Sequence, residues 1–465
     1  MIEFILNDKK VTTSKPTGSL LVDYIRYDQH LKGTKIGCRE GDCGACTVLI
    51  GSLVNGRMEY KQATSCLTPI ANIASKHIVT VEGLNMKDLS PVQQEMVNES
   101  GTQCGFCTPG FVVSLSNYCL TETAPTKPKA IASVDGNICR CTGYKSIERA
   151  AHNINDLLVN KDEHTPIDWL IENKFIPTYF KDIPQLISTL NIPKKVNERN
   201  KLVGGGTDLY VQQPDELVEL NVNSSSHIAN STYITFEEGI FRIGGATTVS
   251  ELQASEQLNK IIPNLNAHIK LVSSTPIRNI STIAGNFVNA SPIGDFTAFF
   301  LALDAQLTLT ENDESRTINL KDFYKGYKQL DKTEAEIITE ISFAIPDENT
   351  KFNLEKVSKR IHLDIASVNT AIQIKVIENN IESIHLSAGG IGPIPTYLSN
   401  TVAYLQGKEL SPSIIKKAND IMQAEISPMS DVRGTEEYKR LLLRQLFYAH
   451  FITLFPNQIT LPSLR

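Results

Sequence analysis

Gly37-Cys38-Arg39-Glu40-Gly41-Asp42-Cys43-Gly44-Ala45-Cys46 is the stretch on which the reading of this chain turns. Its cysteines follow C-x4-C-x2-C spacing, and Cys66 comes after one further hairpin, a pattern that delivers four thiolates to a [2Fe–2S] cluster. Gly37, Gly41 and Gly44 give the loop the backbone freedom to wrap tightly and bring N–H groups to the sulfurs. Zinc also takes four cysteines, but its modules favour paired C-x2-C knuckles over a glycine loop of this kind.

A second group follows: Gln103-Cys104-Gly105-Phe106-Cys107-Thr108-Pro109-Gly110, then Gly136-Asn137-Ile138-Cys139-Arg140-Cys141-Thr142-Gly143-Tyr144. This C-x2-C with C-x-C suits zinc as well as iron when taken alone. Each pair precedes an apolar helix, whose free N–H groups and dipole favour a negatively charged cluster. The ninth cysteine, Cys119, lies on a helical face without a partner motif and reads as a core thiol.

Around these loops, Ile2 to Leu6 and Val11 read as a hairpin turning at Asn7-Asp8, followed by a short helix near Leu20 to Arg26. Val48 to Ile50, Met58 to Ala63 and Ile78 to Val81 read as further strands. From Ser90-Pro91, an N-cap followed by proline at the first helical position, the pattern turns helical, with Phe111 to Leu120 and Ile147 to Leu158 the clearest segments. Asn160 to Pro166 is polar, charged and proline-terminated, so it reads as a linker. Beyond it, Ile183 to Leu190 as a helix and Lys201 to Val203 and Phe241 to Ile243 as strands suggest α/β construction. Leu441 to Leu454 is the clearest helix near the end.

Lys201 leads into Leu202-Val203-Gly204-Gly205-Gly206-Thr207-Asp208-Leu209, a glycine loop directly after a short strand, where backbone N–H groups can surround a pyrophosphate or simply make a turn. It is neither GxGxxG nor a Walker A loop. Arg278 to Asn286, running on to Asp295, offers hydroxyls, amides and small residues.

The chain has 465 residues, 41% of them hydrophobic, enough for three or four domains. Its net charge of −6 and pI near 5.9 argue against nucleic acid or an anionic membrane as partner. The first ten residues are too weakly apolar for a signal or a span, which points to the cytoplasm. There is no H-E-x-x-H, no G-x-S-x-G and no Cys/His nucleophile arrangement, so bound cofactors are expected to carry the chemistry.

KIGCREGDCGACTV, QCGFCTPG and GNICRCTGY, in this order, resemble the signatures of the molybdenum hydroxylase family, which includes xanthine dehydrogenase and aldehyde oxidase. The two downstream stretches resemble that family's FAD-binding domain. The resemblance implies an α+β multidomain chain: a ferredoxin-like β-grasp domain over residues 1–84, a helical [2Fe–2S] domain over 85–159, a linker over 160–172, an α/β FAD-binding domain over 173–347 and an α+β C-terminal domain over 350–465. It implies that Cys38, Cys43, Cys46 and Cys66 hold one cluster and that Cys104, Cys107, Cys139 and Cys141 hold the other. Gln103 then matches the glutamine that faces the molybdopterin cofactor. Leu202, Val203, Gly204, Gly205, Gly206, Thr207, Asp208 and Leu209, with Thr282, Ile283, Ala284, Gly285 and Asn286, are implied to grip FAD, with Asp295 nearer its ribose or ring and Lys356 beside them. An aromatic residue that animal members place against the flavin is missing from Lys270-Leu271-Val272-Ser273-Ser274.

The order of clusters before flavin resembles the xanthine dehydrogenase branch. That resemblance implies an oxidoreductase in which electrons from a hydroxylated purine pass through two clusters to FAD and then NAD⁺. No catalytic residue for hydroxylation is expected on this chain. A molybdopterin-binding large subunit, in a two-plus-two assembly, is the expected partner. The alternatives are an electron-transfer subunit of an aldehyde, nicotinate or carbon monoxide dehydrogenase, or a non-enzymatic electron-transfer protein with zinc in the second cysteine group.

Overall fold

The computed structural model describes residues 1–191, 199–312 and 314–465. Its packing separates two units, Met1–Ile228 with Ser274–Ser281, and Ala229–Ser273 with Thr282–Arg465.

In the first unit, β1 (Ile2–Leu6) and β2 (Lys9–Thr13) form the expected hairpin. Asn7 takes the left-handed conformation at its turn (φ 55°), and its side-chain oxygen accepts the Thr80 N–H at 2.9 Å. β3 (Thr47–Val54) and β4 (Arg57–Thr64) meet at Asn55-Gly56, both with positive φ, the twist-matched two-residue turn. With β5 (His77–Val79) the sheet runs β2-β1-β5-β3-β4, with β1 and β5 parallel and the other pairs antiparallel. Alternation along the strands sends Phe4, Val48 and Ile78 to one face, against Leu21 and Ile25. Leu49, Tyr60 and Val79 go to the other, where they join the core of the helices that follow. The short helix near Leu20 is Leu21–Asp23, continuing into a single π turn, Tyr24–Asp28.

The helical part comprises α1 (Pro91–Asn98), α2 (Thr108–Thr121), α3 (Lys127–Ala132), α4 (Lys145–Leu157) and α5 (Pro166–Glu172). Ser90 and Gln93 close a reciprocal capping box at the start of α1. Residues 160–172 carry α5 and are packed down at both ends. Leu170 is fully buried in the helical core, and Lys161 Nζ caps α2 by donating to the carbonyls of Cys119 (2.7 Å) and Glu122 (2.8 Å). Polarity along Asn160 to Thr165 reflects this capping and the turn that starts α5. Lys201–Val203 pairs in parallel with Val222–Ser224.

In the second unit, β6 (Ile234–Glu237), β7 (Ile240–Gly244), β8 (Gln306–Glu311), β9 (Glu314–Asn319) and β10 (Ile337–Ala344) form a sheet ordered β9-β8-β10-β7-β6. All four of its pairings are antiparallel, so among the described residues beyond Glu172 parallel pairing is found in the small Lys201–Val203 ladder. Two of these pairings are hairpins closed by short turns, which only antiparallel strands allow. α6 (Ile283–Asn289) and α7 (Asp295–Ala302) pack on this sheet through Phe287, Phe299 and Phe300.

The chain then enters a second antiparallel sheet, β11 (Thr350–Val357), β12 (Val368–Ile377), β13 (Asn380–Gly389) and β14 (Thr396–Tyr397). α7 bridges the two sheets, and Ser387 Oγ donates to the Ala298 carbonyl at 2.6 Å. The final long helix, α8 (Glu436–Leu454), begins five residues before the apolar run, because Thr435 caps it by accepting the Tyr438 N–H.

Candidate cofactor sites

The first cysteine loop spans the gap between the π turn and β3, and Cys66 follows β4. Cys46 and Cys66 are buried, while Cys38 and Cys43 are half-buried. The thiols stand in hydrogen-bonded pairs, Cys38 with Cys43 and Cys46 with Cys66, and Cys38 also lies within electrostatic reach of the other pair. The hydrogen bond from Cys43, assisted by the N–H groups of Glu40, Cys43 and Asp42, holds the Cys38 thiol down at about 5. Cys43, as the donor, is pushed up. Cys46 is likewise held down by Cys66, which rises. Gly41 and Gly44 have φ of 79° and 67°, and a Cβ on Gly37 would stand 2.9 Å from Cys43 Sγ.

The second group repeats the pairing. Cys104 and Cys107 precede α2, Cys139 and Cys141 precede α4, and the pairs cross: Cys104 with Cys141, Cys107 with Cys139. Burial, then the bond to Cys139, pushes Cys107 up to about 12. Against the opposing effect of burial, the Thr142 hydroxyl, donating at 3.1 Å, helps hold Cys139 down. Cys104 and Cys141 are exposed, as are Gln103 and the neighbouring Phe106, Ile138 and Tyr144.

Among the described residues no group of three or more His, Cys, Asp or Glu side chains is placed to hold a metal ion. Two neighbouring pairs of cysteine sulfurs, with backbone N–H groups such as that of Glu40 turned to Cys38, fit a cluster whose two irons take two thiolates each. Cys119 is fully buried, and burial pushes its thiol up to about 12, as an inert core residue requires.

The two cysteine loops are hydrogen-bonded back to back. The Ile138 N–H donates to the Cys43 carbonyl at 3.0 Å, and Asn137 Nδ2 donates to the Gly44 carbonyl at 3.1 Å. A Cβ on Gly110 would stand 2.2 Å from the same Gly44 oxygen, so this glycine serves close approach. The role of Asn137 was not legible from its motif; its only signal is a buried amide between glycine and an apolar residue.

Of the residues expected to grip FAD, Leu202 and Val203 end the small parallel ladder, and Gly204 to Gly206 turn away from it. The Gly204 carbonyl accepts from Asn72 Nδ2 at 2.7 Å. A Cβ on Gly205 would stand 2.0 Å from the Ile280 carbonyl oxygen, and Gly206 has φ 81°. Thr207 and Asp208 lead into a one-turn helix that starts at Leu209.

In the second unit Thr282 caps α6, its hydroxyl accepting the Gly285 N–H at 3.1 Å. Ile283 and Ala284 are buried, Gly285 is exposed, and Asn286 Oδ1 is a shielded acceptor with no hydrogen-bond donor among the described residues. An orphaned acceptor in a motif with an exposed glycine fits a polar ligand such as the flavin nucleotide. Asp295 and Lys356 are brought together as a buried ion pair at 2.8 Å, and Asn369 Nδ2 donates to the other Asp295 oxygen at 2.6 Å. Asn369 was missed because its partners are 74 and 76 residues away. Val272 lines a small cavity with His268, Asp295, Phe299 and Leu354.

Comparison with known families matches the whole order. Residues 4–71 match the 2Fe-2S iron-sulfur cluster binding domain and 80–152 the [2Fe-2S] binding domain. Residues 174–347 match the FAD binding domain in molybdopterin dehydrogenase, and 354–454 the CO dehydrogenase flavoprotein C-terminal domain. Together the four domains support the molybdenum hydroxylase family. Similar curated proteins are xanthine dehydrogenase of Emericella nidulans, 26% identical over 97% of this chain and 38% of its own length, and xanthine dehydrogenase/oxidase of Rattus norvegicus, 26% identical over 97% and 39%. The chain thus spans about two fifths of the length of these relatives. Among solved structures, a carbon monoxide dehydrogenase chain from Hydrogenophaga pseudoflava aligns with TM-score 0.51 and 23% identity, over 53% of this chain and 86% of that one. A quinoline 2-oxidoreductase chain from Pseudomonas putida 86 aligns with TM-score 0.51 and 17% identity, over 57% and 92%. At these identities the molybdenum hydroxylase structures speak to the fold alone. No described helix is long and apolar enough to cross a membrane.

Proposed function

We propose that this chain is the electron-transfer part of a xanthine dehydrogenase, taking electrons from a molybdopterin-containing partner and delivering them to NAD⁺ in purine oxidation. The observation that carries the reading is the pair of back-to-back thiol quartets preceding the flavin motifs in one chain. When bound, the two clusters supply one-electron transfer, and the flavin supplies the conversion of single electrons into the hydride that NAD⁺ needs.

This chain's own residues hold, space and shield those groups. Cys38 with Cys43 and Cys46 with Cys66 would ligate one cluster, Cys104 with Cys141 and Cys107 with Cys139 the other. The Ile138–Cys43 hydrogen bond ties the two ligand loops directly together, a short covalent and hydrogen-bonded path. The exposed face of Gln103, Phe106, Ile138 and Tyr144 supports placing the partner, with its molybdopterin, beside the second quartet. Leu202 to Leu209 and Thr282 to Asn286 would grip FAD, with Asn286 Oδ1 accepting from it. Asp295 and Lys356 would brace that site.

Purifying the chain with and without a molybdopterin-binding partner, while counting iron and flavin, tests this. The expected result is about four irons and one FAD per chain, with xanthine-dependent NADH formation only in the pair. The match of residues 354–454 to a CO dehydrogenase flavoprotein domain favours a second reading, in which the same parts serve a carbon monoxide or aldehyde dehydrogenase. Full cofactor content without purine turnover in the pair would select it. Zinc without flavin would overturn both.

A further inference from the structure

We infer that Arg39 is a positioning residue that clamps the two thiol pairs of the first site together and raises the reduction potential of the cluster they hold. The inference rests on the electron-transfer reading above and deepens it. Arg39 follows Cys38 directly and has φ 57°, the left-handed conformation that glycine adopts freely and an L-residue adopts at a cost. A long charged side chain at such a position requires compensation.

The compensation is a fork. Arg39 Nη1 donates to Asp23 Oδ2 at 3.0 Å and Nη2 to Asp23 Oδ1 at 2.6 Å. Asp23 ends the helical turn Leu21–Asp23, and that turn is fastened to the Cys66 segment. The Val22 N–H donates to the Ser65 carbonyl at 3.1 Å and the Leu21 N–H to the Thr68 carbonyl at 2.9 Å. Arg39 therefore joins the Cys38/Cys43 arm of the site to the Cys46/Cys66 arm.

Its charge belongs to the same site, because Arg39 is covalently next to Cys38 and its guanidinium is held by Asp23, on the turn fastened to the Cys66 segment. A reduced cluster carries one more negative charge than an oxidised one, so a fixed cation beside its thiolates favours reduction. Asp23 opposes this by partly neutralising the guanidinium. Charge and clamp then make different predictions: through charge, losing Arg39 lowers the potential and losing Asp23 raises it, whereas loss of the clamp alone would move both variants in the same direction.

The test is a redox titration of the full chain with its clusters loaded, following the two one-electron iron–sulfur steps by EPR. At the potential where the first cluster is half reduced in the wild type, Arg39→Gln lowers the ratio of reduced to oxidised cluster about tenfold, or about 59 mV. Asp23→Asn raises that ratio, and Arg39→Lys, which keeps the charge and loses the fork, leaves it within about twofold. The step of the second cluster stays in place as the internal control. Shifts of one sign in Arg39→Gln and Asp23→Asn, or no shift in either with full iron content, overturn the inference. Should Arg39→Gln fail to load iron, Arg39→Lys and Asp23→Asn still decide it. A wild-type chain without two-iron clusters instead refutes the underlying reading.

Discussion

Breaking the Asp295–Lys356 pair is the most direct probe of the second unit. Lys356 is 1% exposed and Asp295 11% exposed at the side chain. Nζ donates to Asp295 Oδ2 at 2.8 Å and to the Leu271 carbonyl at 2.7 Å, while Asn369 holds the other carboxylate oxygen. Both groups are out of water, so truncating either leaves a buried charge with only neutral partners. Lys356→Met and Asp295→Asn should each cost about 3 kcal/mol. The double variant should cost about 1–2 kcal/mol, because it removes both desolvated charges at once and leaves apolar and amide groups that the pocket tolerates. In urea unfolding of the full chain followed by circular dichroism, a slope of about 2 kcal/mol per M turns each single loss into a midpoint shift of about 1.5 M. Single losses below about 1 kcal/mol, or a double variant as damaged as the sum of the singles, would refute the view that this pair is a desolvated structural brace.

Asn286→Leu should reduce FAD retention on gel filtration about tenfold or more while leaving iron content unchanged, since it removes only the orphaned acceptor. Gly205→Ala should destabilise the chain by about 2 kcal/mol and lose flavin, because the new methyl would stand 2.0 Å from a backbone oxygen that cannot swing aside. Cys107→Ala should lower the iron count by two per chain, whereas Cys119→Ala should keep it whole, as quantitative iron analysis will show. His77, held by burial at about 4 against an ordinary 6.5, stays neutral between Tyr60 and Asn7. The unfolded chain therefore binds the extra proton between those pH values, so the stability it contributes is full above pH 6.5 and falls as pH drops toward 4, by roughly 3 kcal/mol. His77→Gln should flatten the acid side of a stability-against-pH curve, and an unchanged slope would exclude His77 as its source.

Read alone, the chain declares whatever depends on neighbours a few residues apart. C-x4-C-x2-C with its glycines marks Cys38, Cys43 and Cys46 as candidate ligands because covalent spacing and loop curvature are local properties. Asn7-Asp8 and the Ser90-Pro91 cap mark their turn and helix start for the same reason, since each is satisfied by hydrogen bonds within three residues or by one residue's own φ. Periodicity placed α2, α4 and most of α8. What only the tertiary structure decided depends on groups brought together over long separations. Cys104 pairs with Cys141 rather than its neighbour Cys107, and the Ile138 N–H finds the Cys43 carbonyl 95 positions away. Asp295 finds Lys356 and Asn369, and Arg39 finds Asp23. In the polar stretch after Asn160, Lys161 caps a helix some forty residues earlier in the chain, a partnership that its sequence neighbours do not announce. Local chemistry sets which groups can ligate or cap; the packing of distant segments sets which partner each one meets, because that choice is settled by buried area and desolvation rather than by spacing.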